Sequence, residues 1–136
     1  MASAQQEQQP QRPVPLEDVN PGAALQGAFL ILRAWGVGTE EARVLLGSPA
    51  KSTFFAWQRG EVKRVPADAL KRIGYIAGIY KALQILYSDA ALADAWVKRP
   101  NRAFAGQTPL QRMGAGDVTN LAAVRKYLDA ARAPWS

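Results

Sequence analysis

The chain contains neither cysteine nor histidine. That excludes Cys/His zinc sites, thiol catalysis, disulfide staples and every Ser–His or Cys–His nucleophile pair. There is also no phosphate-cradling glycine loop and no carboxylate pair embedded in a patterned motif. No catalytic residue, metal ligand or cofactor is therefore expected, and the chain does not read as an enzyme. The lack of cysteine fits a reducing, cytoplasmic setting. Long apolar runs are missing as well. The best candidate, Ile73 to Tyr87, is about 15 residues long and carries Lys81 and Gln84, whereas a bilayer asks for about 20 apolar residues, so no membrane span is expected. The opening "MASAQQEQQPQRPVP" has no apolar stretch of the kind a secretory leader needs.

What is present suits one domain of 136 residues, or two very small ones sharing a core. With 49% of the residues hydrophobic and 21% charged, most of the chain should fold. Residues 1–20 are the exception: Gln- and Pro-rich and poor in apolar groups, they read as a flexible tail.

The periodicity beyond the tail is helical throughout, with no alternating strand pattern of useful length. Leu25, Ala28, Phe29, Leu32 and Trp35 recur at three- and four-residue steps, one face of a helix that Gly36 and Gly38 end. Thr39 reads as the N-cap of a second helix, with Glu40 and Glu41 in its first turn and Ala42, Leu45 and Leu46 inward. Ser48-Pro49 reads as a capping hydroxyl plus proline opening a third, with Ala50, Phe54 and Trp57 inward and Gly60 as its stop. The longest helix starts at Pro66 and runs to about Tyr87. It is apolar nearly all round from Ile73, which predicts burial on more than one side, and Gly74 and Gly78 allow another backbone to come close. A short helix from Asp89 to Lys98 buries Leu92 and Trp96; Thr108-Pro109 opens another, to Met113. Asp117 caps the last, whose inward stripe is Leu121, Val124, Leu128 and Ala131. The fold class is all-α. The expected division is 1–20 tail, 21–65 helix-turn-helix, 66–88 connecting and dimerisation helix, and 89–136 a small second helical unit.

The net charge of +6 is unevenly placed. Residues 51–72 hold six Lys/Arg against Glu61 and Asp68; residues 98–136 hold seven against Asp117 and Asp129. Two basic zones separated by a near-neutral apolar segment suggest two binding surfaces.

The first zone contains "LLGSPAKSTFFAWQRGE", residues 45–61. Two short helices joined by Gly-Ser-Pro, then a Trp and a basic Gly turn, form a helix-turn-helix candidate. Lys51, Ser52 and Thr53 lie at the N-terminal end of its second helix, where such helices meet base edges, and Gln58, Arg59, Lys63 and Arg64 add polar and phosphate contacts. The segment resembles the Xre (lambda-repressor-like) helix-turn-helix. It departs from that pattern in having Arg43 where a small residue is usual, and one extra residue between Gly47 and Trp57.

The second zone contains "ALADAWVKRPNRAFAGQTPLQRMGAGDVTNLAAVRKYLDAAR", residues 91–132. Trp96, Pro100, Asn101, Gly106, Thr108, Pro109, Leu110 and Val124 follow in the order of the toxin-binding domain of Xre/MbcA/ParS antitoxins, which the segment resembles. The resemblance implies an antitoxin that occludes a RES-type, NAD-using toxin and binds operator DNA to regulate its own operon. It implies a cognate toxin and DNA as partners, with a homodimer in a heterotetramer or larger complex. The residues add a mechanism: Asn101, Arg102, Gly106, Gln107 and Thr108 form a polar loop stiffened by Pro100, Phe104 and Pro109, and a pre-organised loop loses little entropy on binding. Arg112 and Arg125 extend the basic surface, and Trp135 is either packed back on the bundle or an exposed anchor. The competing reading is a dimeric helix-turn-helix repressor without a toxin partner.

Overall fold

The computed structural model describes residues 20–132. The expected tail, apart from Asn20, and Trp135 lie outside the described residues. The described chain is all-helical: α1 (Pro21–Ala34), α2 (Thr39–Leu45), α3 (Lys51–Gln58), α4 (Ala67–Leu86), α5 (Ala90–Ala95), α6 (Pro109–Met113) and α7 (Val118–Arg132), with 3-10 turns at Trp96–Lys98 and Arg102–Phe104.

The long helix α4 is the axis of the molecule, packing most extensively against α7 and next against α1. Its buried residues, among them Ile73, Ile76, Ile79 and Leu83, are covered by Leu25 and Leu32 from α1, by Trp35 at its C-cap, and by Leu121, Val124 and Leu128 from α7. All these side chains belong to one continuous core. The near-uniform hydrophobicity of α4 is thus used inside the chain; Ile85 and Leu86, at its C-terminal end, are the large aliphatic side chains it leaves exposed.

Several local expectations need correction. Ser48 does not cap α3: it adopts φ 55°, and its N–H bonds back to the Arg43 carbonyl while Gly47 N–H bonds to that of Val44. Those are the closing bonds of α2, and they depend on the positive φ of Gly47, 98°. The N-cap of α3 is Ala50, exposed rather than inward, with no side-chain hydrogen bond. Likewise Thr39 is the first helical residue of α2, and Gly38 is the cap. Arg43, out of place in the expected pattern, braces the same turn: one guanidinium nitrogen donates to the Pro49 carbonyl at 2.7 Å while two others donate to Glu40. Leu92 is half exposed, and the inward face is Ala93, Trp96 and Val97, an i, i+3, i+4 set one position round from the expected one. Ala131 is exposed; the inward stripe of α7 ends at Leu128. The close approach at Gly78 is made by a side chain: a Cβ there would overlap the Arg125 guanidinium of α7, while Gly74 faces open space.

Two long-range polar ties join the halves. Lys98 donates to the Gly36 carbonyl at 2.8 Å. Arg72, only 6% exposed, donates to Asp68 at 2.8 Å and to the Gly116 carbonyl at 2.9 Å.

Candidate functional site

The first candidate surface is built on α3. Phe54 and Trp57, three apart, are its buried anchors, and Phe54 packs edge-on against Phe29 of α1 at 5.6 Å. With one face anchored, the polar side chains turn outward on both sides of Trp57. Ser52, Thr53, Lys63 and Arg64 line one cleft of about 410 Å³ together with Glu61. Gln58 and Arg59 line a separate cleft of about 480 Å³ with Gln26, Leu30 and Arg33 of α1. The structure therefore splits the predicted DNA-binding residues into two groups flanking α3. Lys51 sits apart from both, close enough to Glu40 of α2 to help lower that carboxyl's pKa, behind the larger effect of the Arg43 hydrogen bond.

Arg59 is engaged by Glu61 at 3.1 Å, and that hydrogen bond holds the Glu61 carboxyl below its usual range and raises Arg59. Both side chains are exposed, so water and salt screen the pair. A phosphate competing for Arg59 therefore meets little resistance. Arg33 was missed in the sequence, although its place in the last turn of α1, off the buried Leu25–Ala28–Leu32 face, marks it as an outward cation.

The second candidate surface is the loop between the two 3-10 turns and α6. Its backbone closes on itself: Asn101 N–H bonds to the Gln107 carbonyl, and the Phe104 and Gly106 N–H groups both bond to that of Asn101. Ala105 and Gly106 make the turn with φ 56° and 83°. Asn101 and Thr108 are the posts of this loop. The Asn101 side-chain oxygen accepts from Ala103 N–H at 2.9 Å, and Thr108 forms a reciprocal capping box with Gln111, at 2.8 and 3.0 Å. Their side-chain oxygens are thus used in holding the loop, and the outward groups at its tip are Arg102, Gly106 and Gln107.

Arg112 is half-buried and donates to Asn120 at 2.9 Å, pinning α6 to α7. Arg125 pairs with Asp129 and lies over Gly78 of α4. Tyr127 points away from it, two helical positions on, stacking on Trp96 at 6.0 Å and meeting Phe104 edge-on at 5.4 Å. Arg125 and the loop thus fall on different flanks of α7. Tyr127, 40% exposed, is the aromatic that actually adjoins the loop. The signal for it in the sequence was its position just off the Val124–Leu128 stripe.

A self-bonded polar loop set between the Trp96 3-10 turn and a closing amphipathic helix is a pattern that has a counterpart. Residues 82–133 match the antitoxin Xre/MbcA/ParS C-terminal toxin-binding domain, and this part of the chain belongs to that family. Over 110 residues it is 41% identical to the uncharacterized protein y4oB of Sinorhizobium fredii, covering 81% of this chain and 84% of that one. The matched span runs from the end of α4 through α7 and includes the whole loop. Among the described residues no helix is long and apolar enough to cross a membrane, and no acidic group of three or more is placed to hold a metal ion.

Proposed function

We propose that this protein is the antitoxin of a toxin–antitoxin pair. It neutralises a RES-type, NAD-using toxin in the cytoplasm by covering the toxin's active-site cleft, and its α3 surface binds operator DNA as part of a homodimer. The observation that carries the toxin half is the self-bonded loop of residues 101–108 inside the matched toxin-binding span. Occlusion requires only a stiff, outward surface, so no catalytic group is needed on this chain. The DNA half rests on the two clefts flanking α3, one presenting Lys63 and Arg64 and the other Arg59 and Arg33.

The test uses two exposed loop positions and a C-terminal truncation. Arg102→Glu, Gln107→Ala and removal of Trp135–Ser136, each in the full chain, are co-expressed with the cognate toxin. At least one should restore toxicity while operator binding persists. If all three remain fully protective and bind the toxin as tightly as the parent, the loop is only a connection; if the parent itself neither protects against nor binds the toxin, the repressor reading takes its place.

A further inference from the structure

Arg72 is the one charged or polar residue among the described residues that is buried with the core. Its surroundings join three separate parts of the chain. The guanidinium Nε donates to Asp68 one turn earlier on α4, and Nη2 donates to the Gly116 carbonyl, 44 residues away, in the loop that leads into α7. On the opposite side this ion pair is pressed against the turn between α2 and α3. A Cβ on Gly47 would stand 2.9 Å from the Asp68 carboxylate and 3.4 Å from Arg72 Nε. The turn that launches α3 therefore rests on a guanidinium whose far end holds the entry to α7. The third nitrogen, Nη1, is buried and has no acceptor among the described residues.

We infer that Arg72 is a positioning residue that couples the two binding surfaces, so that engaging the α6–α7 side shifts the α2–α3 turn and changes the grip of α3. The inference rests on the proposed assignment of toxin to the C-terminal surface and DNA to α3. The other inter-half hydrogen bond, Lys98 to the Gly36 carbonyl, is exposed, whereas the guanidinium is buried where α4, the α2–α3 turn and the entry to α7 meet. Lysine cannot replace it: one ammonium on a flexible stem does not hold Asp68 and Gly116 in a fixed fork.

Two measurements on the full chain test this. The first is the ratio of operator affinities with and without saturating cognate toxin, in the parent, Arg72→Met and Arg72→Lys. Coupling free energies between sites commonly give ratios of about 5- to 150-fold. The parent should show a ratio of at least about fivefold in either direction, falling toward one in both variants, while each variant still binds DNA and toxin separately. A parent ratio of one, or a ratio unchanged in Arg72→Met, overturns the inference. The second is amide hydrogen exchange of the toxin-free proteins, which does not depend on either ligand. Both variants should speed exchange in Val44–Lys51 and in Gly116–Asn120 together, with α5 unchanged. Unaltered exchange in the first segment overturns the coupling even if no operator is bound at all, whereas absence of operator or toxin binding by the parent overturns the functional assignment instead.

Discussion

Glycines 47 and 78 show how differently one residue type acts in this chain. Gly47 holds φ 98° and backs onto the Asp68–Arg72 pair. Alanine there adds a left-handed penalty of about 1–2 kcal/mol and crowds the exposed Asp68 carboxylate that pairs with the buried Arg72. Gly78 lies inside α4, and its missing Cβ makes room for the tip of a long, flexible arginine. Alanine there gains about 1 kcal/mol of helix propensity and loses at most a few tenths with the part-exposed Arg125–Asp129 pair. Urea denaturation should therefore find Gly47→Ala destabilised by more than about 1 kcal/mol and Gly78→Ala neutral or slightly more stable. A marked loss of stability in Gly78→Ala would mean that Arg125 is held where it is by more than its pairing with Asp129.

At the level of the helices, α3 is short and anchored by only two side chains, so its orientation is inherited from α1 and from the turns at its ends. Its candidate cations lie in two clefts, and each neutralised phosphate contributes about 0.9 to the log–log salt slope of binding. Removing Lys63 and Arg64 should flatten the slope by about two units, and removing Arg59 with Arg33 should do the same, if both clefts contact the backbone of one duplex. Ser52→Ala or Thr53→Ala should alter sequence preference more than salt dependence. Titrations of a labelled operator at several salt concentrations read both effects; a slope indifferent to Arg33 would confine the interface to the cleft of Lys63 and Arg64.

Across the whole chain the core is continuous, which bears on whether the C-terminal part can act alone. A fragment starting at residue 66 keeps α4 to α7 but loses Leu25, Leu32 and Trp35, all essentially fully buried. At about 1.5–3 kcal/mol for each large apolar side chain, the loss is roughly 5–9 kcal/mol, comparable to the whole stability of a small domain. The full chain should therefore melt in a single calorimetric transition, and residues 66–136 alone should lose most of their helicity. Two resolved transitions, or a fragment with parent-like circular dichroism, would show that the two halves are independent domains.

The helical class, the approximate extent of α1, α4 and α7 and the proline- and glycine-marked breaks were legible in the chain, because they follow from local periodicity and from residues with restricted or unusual backbone preferences. The loop of residues 101–108 was legible for the same reason: Asn101, Gly106, Thr108 and Pro109 are turn and cap chemistry that acts within a few positions. Side-chain assignments beyond that range were not. Thr39 and Ser48 have the chemistry of caps, yet the neighbouring turns closed by backbone bonds and left them no such role. Arg72 and Arg125 look alike in sequence, each an arginine with an aspartate four residues away. One is buried as a clamp and the other lies across a glycine on the surface, because that difference depends on which helix packs over each, and on contacts 44 and 47 positions apart along the chain.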